Sequence, residues 1–136
     1  MHYQSGKIGI LLAAFGSSQD DTHIALAGFG TRVRESFPGI PVRWAFTSGK
    51  VRDRLADKGM KTDSVRKALE KMWFEKYTQV AIQSLHVVPG AEFSDLAEQA
   101  EAMRLPAGAP HSVKGFARVT VGQPLLARDE DVPLVT

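Results

Sequence analysis

His86 closes an apolar run, Val80-Ala81-Ile82-Gln83-Ser84-Leu85-His86-Val87-Val88, and Glu92 follows just beyond the Pro89-Gly90 break. A neutral imidazole can ligate cobalt, iron, nickel or zinc, or act as a base near neutral pH. A carboxylate in the first turn of a following helix could add an oxygen ligand or accept a proton. The bland alternative is a histidine that bonds a backbone group at a strand end. One imidazole does not make a closed metal site, because structural zinc takes four protein ligands and catalytic zinc usually three. Further ligands would come from another chain, from a second half or from the substrate.

Other residues could hold an anion. Phe15-Gly16-Ser17-Ser18 joins the end of an apolar run to a helix start, where backbone N–H groups attract negative charge. It lacks the lysine of a P-loop and the spacing of a dinucleotide fingerprint, and an ordinary tight turn with an N-cap is the competing reading. Thr47-Ser48-Gly49 ends a second run, and Lys50, Arg52 and Arg54 follow it. These cations could meet carboxylates or phosphates, or form a solvated face. Gln123 sits beyond a fourth run. His2, His23 and His111 read as surface residues, and Trp73 and Met72 as core. No Ser-His-Asp order, paired-carboxylate motif or redox motif is evident.

The elements that must position these groups follow from periodicity. Ile8 to Phe15 is a continuous apolar run, as in a strand buried on both faces. Ser17 or Ser18 is expected to cap the next helix, with Asp20 and Asp21 in its first turn and Leu26, Phe29, Val33 and Phe37 as its apolar face. Pro38-Gly39 stops it. Val42 to Phe46 is the second strand, and a basic helix or turn follows, closing near Gly59. Thr62 or Asp63 is expected to cap a helix with Val65, Ala68, Leu69, Met72 and Trp73 on one face. Gln79 to Val88 is the third strand. Phe93, Leu96, Ala97, Ala100 and Met103 mark another helix, Pro106 to Pro110 a loop, and Phe116 to Val121 the fourth strand. Asp129 to Thr136 reads as the start of a further helix. Strands alternating with amphipathic helices predict an α/β fold: a four-stranded parallel sheet flanked by helices in three layers, with right-handed crossovers. Ligands of such sheets bind beyond the carboxyl ends of the strands. The four strand ends should therefore share one rim carrying hydroxyls, N–H groups, His86 and Glu92.

The composition bounds the function. At 136 residues the chain is expected to be one domain, 1–136. A net charge of +2 is too mild to indicate nucleic acid and suits an anionic small molecule. With no cysteine, disulfides, thiolate metal sites and iron–sulfur clusters are excluded. No apolar run reaches membrane-spanning length and no signal peptide is visible, so the expected location is cytoplasmic, or periplasmic if a leader has been removed.

Leu11-Leu12-Ala13-Ala14-Phe15-Gly16-Ser17-Ser18, Ala45-Phe46-Thr47-Ser48-Gly49-Lys50-Val51-Arg52, Ala81-Ile82-Gln83-Ser84-Leu85-His86-Val87-Val88-Pro89-Gly90-Ala91-Glu92-Phe93 and Val121-Gly122-Gln123-Pro124-Leu125-Leu126 together resemble the anaerobic cobaltochelatases of the CbiK type, class II chelatases. The resemblance covers nearly the whole chain in order and matches the N-terminal half of such an enzyme. It implies ATP-independent insertion of Co2+ into sirohydrochlorin or a precorrin-type tetrapyrrole in cobalamin biosynthesis, with iron or nickel as alternative metals and no organic cofactor. It implies two similar α/β halves of flavodoxin-like appearance around a cleft, so the partner would be a C-terminal half or a second copy of the chain. The family's principal metal-binding histidines lie in the C-terminal half, and His86 matches the pseudo-symmetric position in the first. Short relatives place a His-Gly after the first strand, where this chain has Phe15-Gly16. His86 and Glu92 are the implied catalytic and metal-binding residues. Phe15, Gly16, Ser17, Ser18, Thr47, Ser48, Lys50, Arg52 and Gln123 are the implied substrate-binding residues. The alternative functions are a non-catalytic half-domain that binds a tetrapyrrole or metal through His86, and an unrelated flavodoxin-like module.

Overall fold

The computed structural model describes residues 7–16, 19–85, 91–105 and 114–122, and the backbone alone for 20–23 and 91–93. The elements run β1 (Lys7–Ala14), α1 (Asp20–Ser36), β2 (Val42–Phe46), α2 (Gly49–Asp57), α3 (Val65–Phe74), β3 (Tyr77–Ser84), α4 (Ala91–Ala102) and β4 (Arg118–Gly122). All strand pairs are parallel, in the order β2-β1-β3-β4. This is the α/β three-layer arrangement expected from the alternating pattern. Among the described residues no helix is long and apolar enough to cross a membrane.

The apolar run of β1 occupies the middle of the sheet, and Leu11, Leu12, Ala13 and Ala14 are all buried, as both faces of a central parallel strand demand. On one side, Leu11, Ala13, Val80, Ile82 and Val119 pack against Val65, Ala68, Leu69 and Met72 of α3 and Leu96 and Ala100 of α4. The helical spacing of these residues is therefore the core-facing stripe. On the other side, Ala14 and Phe46 meet Val51 and Leu55 of α2, with Leu26 of α1, Trp44 and Leu85 partly buried against them. Ala81, Arg118 and Thr120 are exposed, so among the described residues the sheet is open over β3 and β4 on the face opposite α3 and α4.

Five local expectations need correction. Ser64, not Thr62 or Asp63, caps α3: the Lys67 N–H donates to Ser64 Oγ at 3.2 Å, while Lys71 Nζ lies 2.9 Å from the Asp63 carboxylate. The N-cap of α1 is Gln19, without a side-chain cap bond, rather than Ser17 or Ser18. Phe37 is that helix's C-cap and is half exposed instead of completing its apolar face, because the helix ends at Ser36. The fourth strand begins at Arg118. Phe116 is fully buried but pairs with the exit of α4, its N–H donating to Met103 O at 2.7 Å and its carbonyl accepting from Leu105 N–H at 2.9 Å. The third strand starts earlier than expected, at Tyr77, and its pairing with β1 ends at Ser84. The remainder of its expected range, 86–88, lies outside the described residues, as do the loop expected at 106–110 and the helix start expected at 129–136.

Candidate functional site

The carboxyl ends of the strands are tied together by backbone bonds. Thr47 N–H donates to Ala14 O at 2.8 Å and Ser48 N–H to Phe15 O at 3.2 Å, which fixes the end of β2 beside the end of β1. Leu85 N–H donates to Ala13 O at 2.8 Å and holds the exit of β3 on the other side of β1. Gly16 adopts φ +99°, a region that residues with a Cβ rarely enter. A Cβ there would also meet Phe46 Cγ at 2.9 Å, so a glycine lets the chain leave β1 over the Phe46 ring.

Ser48 starts α2. Its hydroxyl oxygen accepts from Val51 N–H at 3.2 Å, satisfying one of the free N–H groups of the first turn. Lys50 and Arg54 are exposed on the same helix. Arg52 behaves differently. It is partly buried, and its Nη1 donates to the Phe46 carbonyl, so the guanidinium is anchored at the end of β2. Thr47 and Arg52, together with Ser64, Val65, Asp95, Leu96 and Gln99, line a cavity of about 100 Å³. A second cavity of about 280 Å³ shares Arg52 and Ser64 and is bordered by Lys61, Thr62, Asp63, Lys67 and Lys71. Gln99 Oε1 and Thr62 Oγ1 are buried and find no hydrogen-bond partner among the described residues.

The structure thus brings Phe15, Gly16, Thr47, Ser48 and Arg52 to one edge and leaves Lys50 in solvent on α2. His86, Ser17, Ser18 and Gln123 lie outside the described residues. Glu92 falls in the first turn of α4, and its side chain is not among those described. His2 and His111 lie outside as well, and His23 is described by its backbone alone. Among the described residues no three His, Cys, Asp or Glu side chains cluster in a way that could hold a metal. The edge can offer one fixed guanidinium, hydroxyls and backbone donors to an anionic ligand.

Sequence reasoning missed Ser64, Asp95, Gln99, Lys61, Lys67 and Lys71 around Arg52. The run Thr62-Asp63-Ser64 before an apolar helical stripe was a usable signal for the loop, since it marks a helix start. Nothing local marks Asp95 or Gln99, which reach the edge only because α4 packs beside α3.

The comparisons with known proteins agree with one another. The model of the cobalt chelatase (CbiK) family matches residues 8–133. The sirohydrochlorin cobaltochelatase CbiKC of Nitratidesulfovibrio vulgaris is 56% identical over 131 residues, covering 96% of this chain and 44% of that protein. The sirohydrochlorin cobaltochelatase of Salmonella typhimurium is 32% identical over 127 residues, covering 92% of this chain and 45% of that protein. The chain therefore spans somewhat under half the length of these relatives.

Proposed function

The chain belongs to the cobalt chelatase (CbiK) family, and from that premise we propose that its strand-end edge is one wall of a site that inserts Co2+ into sirohydrochlorin or a precorrin-type tetrapyrrole. The reaction exchanges two pyrrole N–H protons for one divalent cation and needs no ATP. Cobalt is the metal substrate in this reading, with iron or nickel as metals of compatible ligand preference. The observation that carries it is the convergence of Arg52, Thr47 and the start of α2 at the carboxyl ends of β1 and β2. A macrocycle rich in carboxylates calls for this combination. A guanidinium pairs with a carboxylate through two parallel N–H donors, and a helix N-terminus favours negative charge. Lys50, Ser17, Ser18 and Gln123 extend the same edge in this proposal.

His86 is the group assigned to metal delivery or proton acceptance, with Glu92 assisting from the first turn of α4. A neutral imidazole does either task near neutral pH. The second wall comes from a C-terminal half or from a second copy of the chain, in the cytoplasm. The coverage of somewhat under half of each relative supports the need for that second wall. It equally favours a second reading, a half-domain that binds a tetrapyrrole without metallating it. Absorbance spectra of sirohydrochlorin mixed with the chain and Co2+ separate the two. Progressive conversion to the cobalt complex supports the chelatase. A shifted spectrum without turnover supports the binder, and an unchanged spectrum removes both.

A further inference from the structure

Phe15 carries no charge and no side-chain donor for an anionic ligand. It stands one residue past the end of β1, the central strand of this edge, and its residue surface is 50% exposed. Its backbone is not loose. The Phe15 carbonyl accepts from Ser48 N–H at 3.2 Å, and the flanking Ala14 carbonyl accepts from Thr47 N–H at 2.8 Å. Gly16 then turns closely over the buried Phe46 ring, where no other residue fits without displacing it. On the other side the exit of β3 is clamped to β1 through Leu85, which packs partly buried against the cluster of Ala14, Phe46, Val51 and Leu55. A large apolar side chain is thus carried into solvent on a rigid mount, with an anchored guanidinium on the neighbouring strand's exit. A core residue displaced by poor packing would not be held this way.

Resting on the chelatase-edge reading above, we propose that Phe15 is an aromatic platform on which one face of the flat tetrapyrrole lies, while the carboxylate arms reach Arg52 and the start of α2. The two contacts divide the ligand by chemistry: π-surface and apolar area at the central strand, anionic arms at the edge strand. Ring-on-ring contact adds to simple area burial, and stacking of flat heterocycles on aromatic side chains is worth about tenfold or more in affinity per ring. A phenyl offers no lone pair, so Phe15 holds the macrocycle without competing for the metal.

The test is an absorbance titration of metal-free sirohydrochlorin with the chain and with Phe15→Ala, Phe15→Leu and Phe15→Tyr, circular dichroism checking that each variant keeps its fold. The half-exposed position makes these substitutions tolerable. Binding by the unaltered chain, about tenfold weaker binding by Phe15→Ala, weaker binding by Phe15→Leu and near-unaltered binding by Phe15→Tyr support the platform. Equal affinity for Phe15→Ala and the unaltered chain overturns the contact but leaves the chelatase edge standing. Equal affinity for Phe15→Leu reduces it to burial of bulk and overturns the aromatic role. No binding by the unaltered chain overturns both this inference and the reading beneath it.

Discussion

At the scale of single residues, the edge is decided by which side chains are anchored and which are not. Lys50, Arg52 and Arg54 look alike in the sequence, three cations at alternate positions on one short helix. Only Arg52 is partly buried and tied to a strand-end carbonyl. A held guanidinium loses less conformational freedom on meeting a carboxylate than a lysine free in solvent. Arg52→Gln is therefore expected to weaken sirohydrochlorin binding by roughly 10- to 100-fold, the range of a charge-assisted hydrogen bond. The same titration of Lys50→Gln should change affinity by less than about threefold, as befits an exposed charge. Equal losses in the two variants would show that the edge acts as a diffuse field. The sequence gives no warning of this difference, because anchoring depends on where the Phe46 carbonyl ends up. The candidate residues at the ends of β1 and β2 were legible for the opposite reason: small residues after an apolar run mark a strand exit whatever the rest of the chain does.

Secondary-structure elements carry the edge through turns and caps more than through side-chain contacts. Gly16 must combine φ +99° with an approach to the Phe46 ring that leaves no room for a methyl group. Gly16→Ala is expected to cost about 1–3 kcal/mol in chemical denaturation, the usual cost of a strained backbone, and to misplace Phe15. An unchanged midpoint would mean that the turn relaxes freely. Ser64→Ala removes the acceptor of the Lys67 N–H. It should lower stability by about 1 kcal/mol and the melting temperature by roughly 3–5 °C. The sequence placed this helix correctly by its stripe Val65, Ala68, Leu69 and Met72, all buried. It misplaced the cap because Thr62, Asp63 and Ser64 are all competent cap residues. The tie was broken by Lys71, which draws the Asp63 carboxylate away. Phe116 misled for a similar reason. Its apolar character suits a strand, yet a turn at Gly115, φ +154°, carries it to the exit of α4.

At the scale of the whole molecule, the alternation of strands and helices was enough to predict the parallel sheet, since each crossover has one favoured hand. The stretch of sheet at Ala81, Arg118 and Thr120 that no described helix covers was not legible, because nothing local to β3 or β4 says how far the described helices reach. The chain spans 44% of one relative and 45% of another, and in the proposal above the second wall of the site comes from a C-terminal half or a second copy. Metal insertion by this chain, as proposed, requires that metal and macrocycle be handled together through His86, the histidine that follows β3 in the sequence. The most direct measurement is the rate of cobalt insertion into sirohydrochlorin, followed by absorbance, for the chain and for His86→Ala. The prediction is conversion to the cobalt complex by the chain and a loss of about 100-fold or more in the variant, the scale of a general base or metal-delivering group. Insertion at an equal rate by His86→Ala, or none by the unaltered chain, would contradict it.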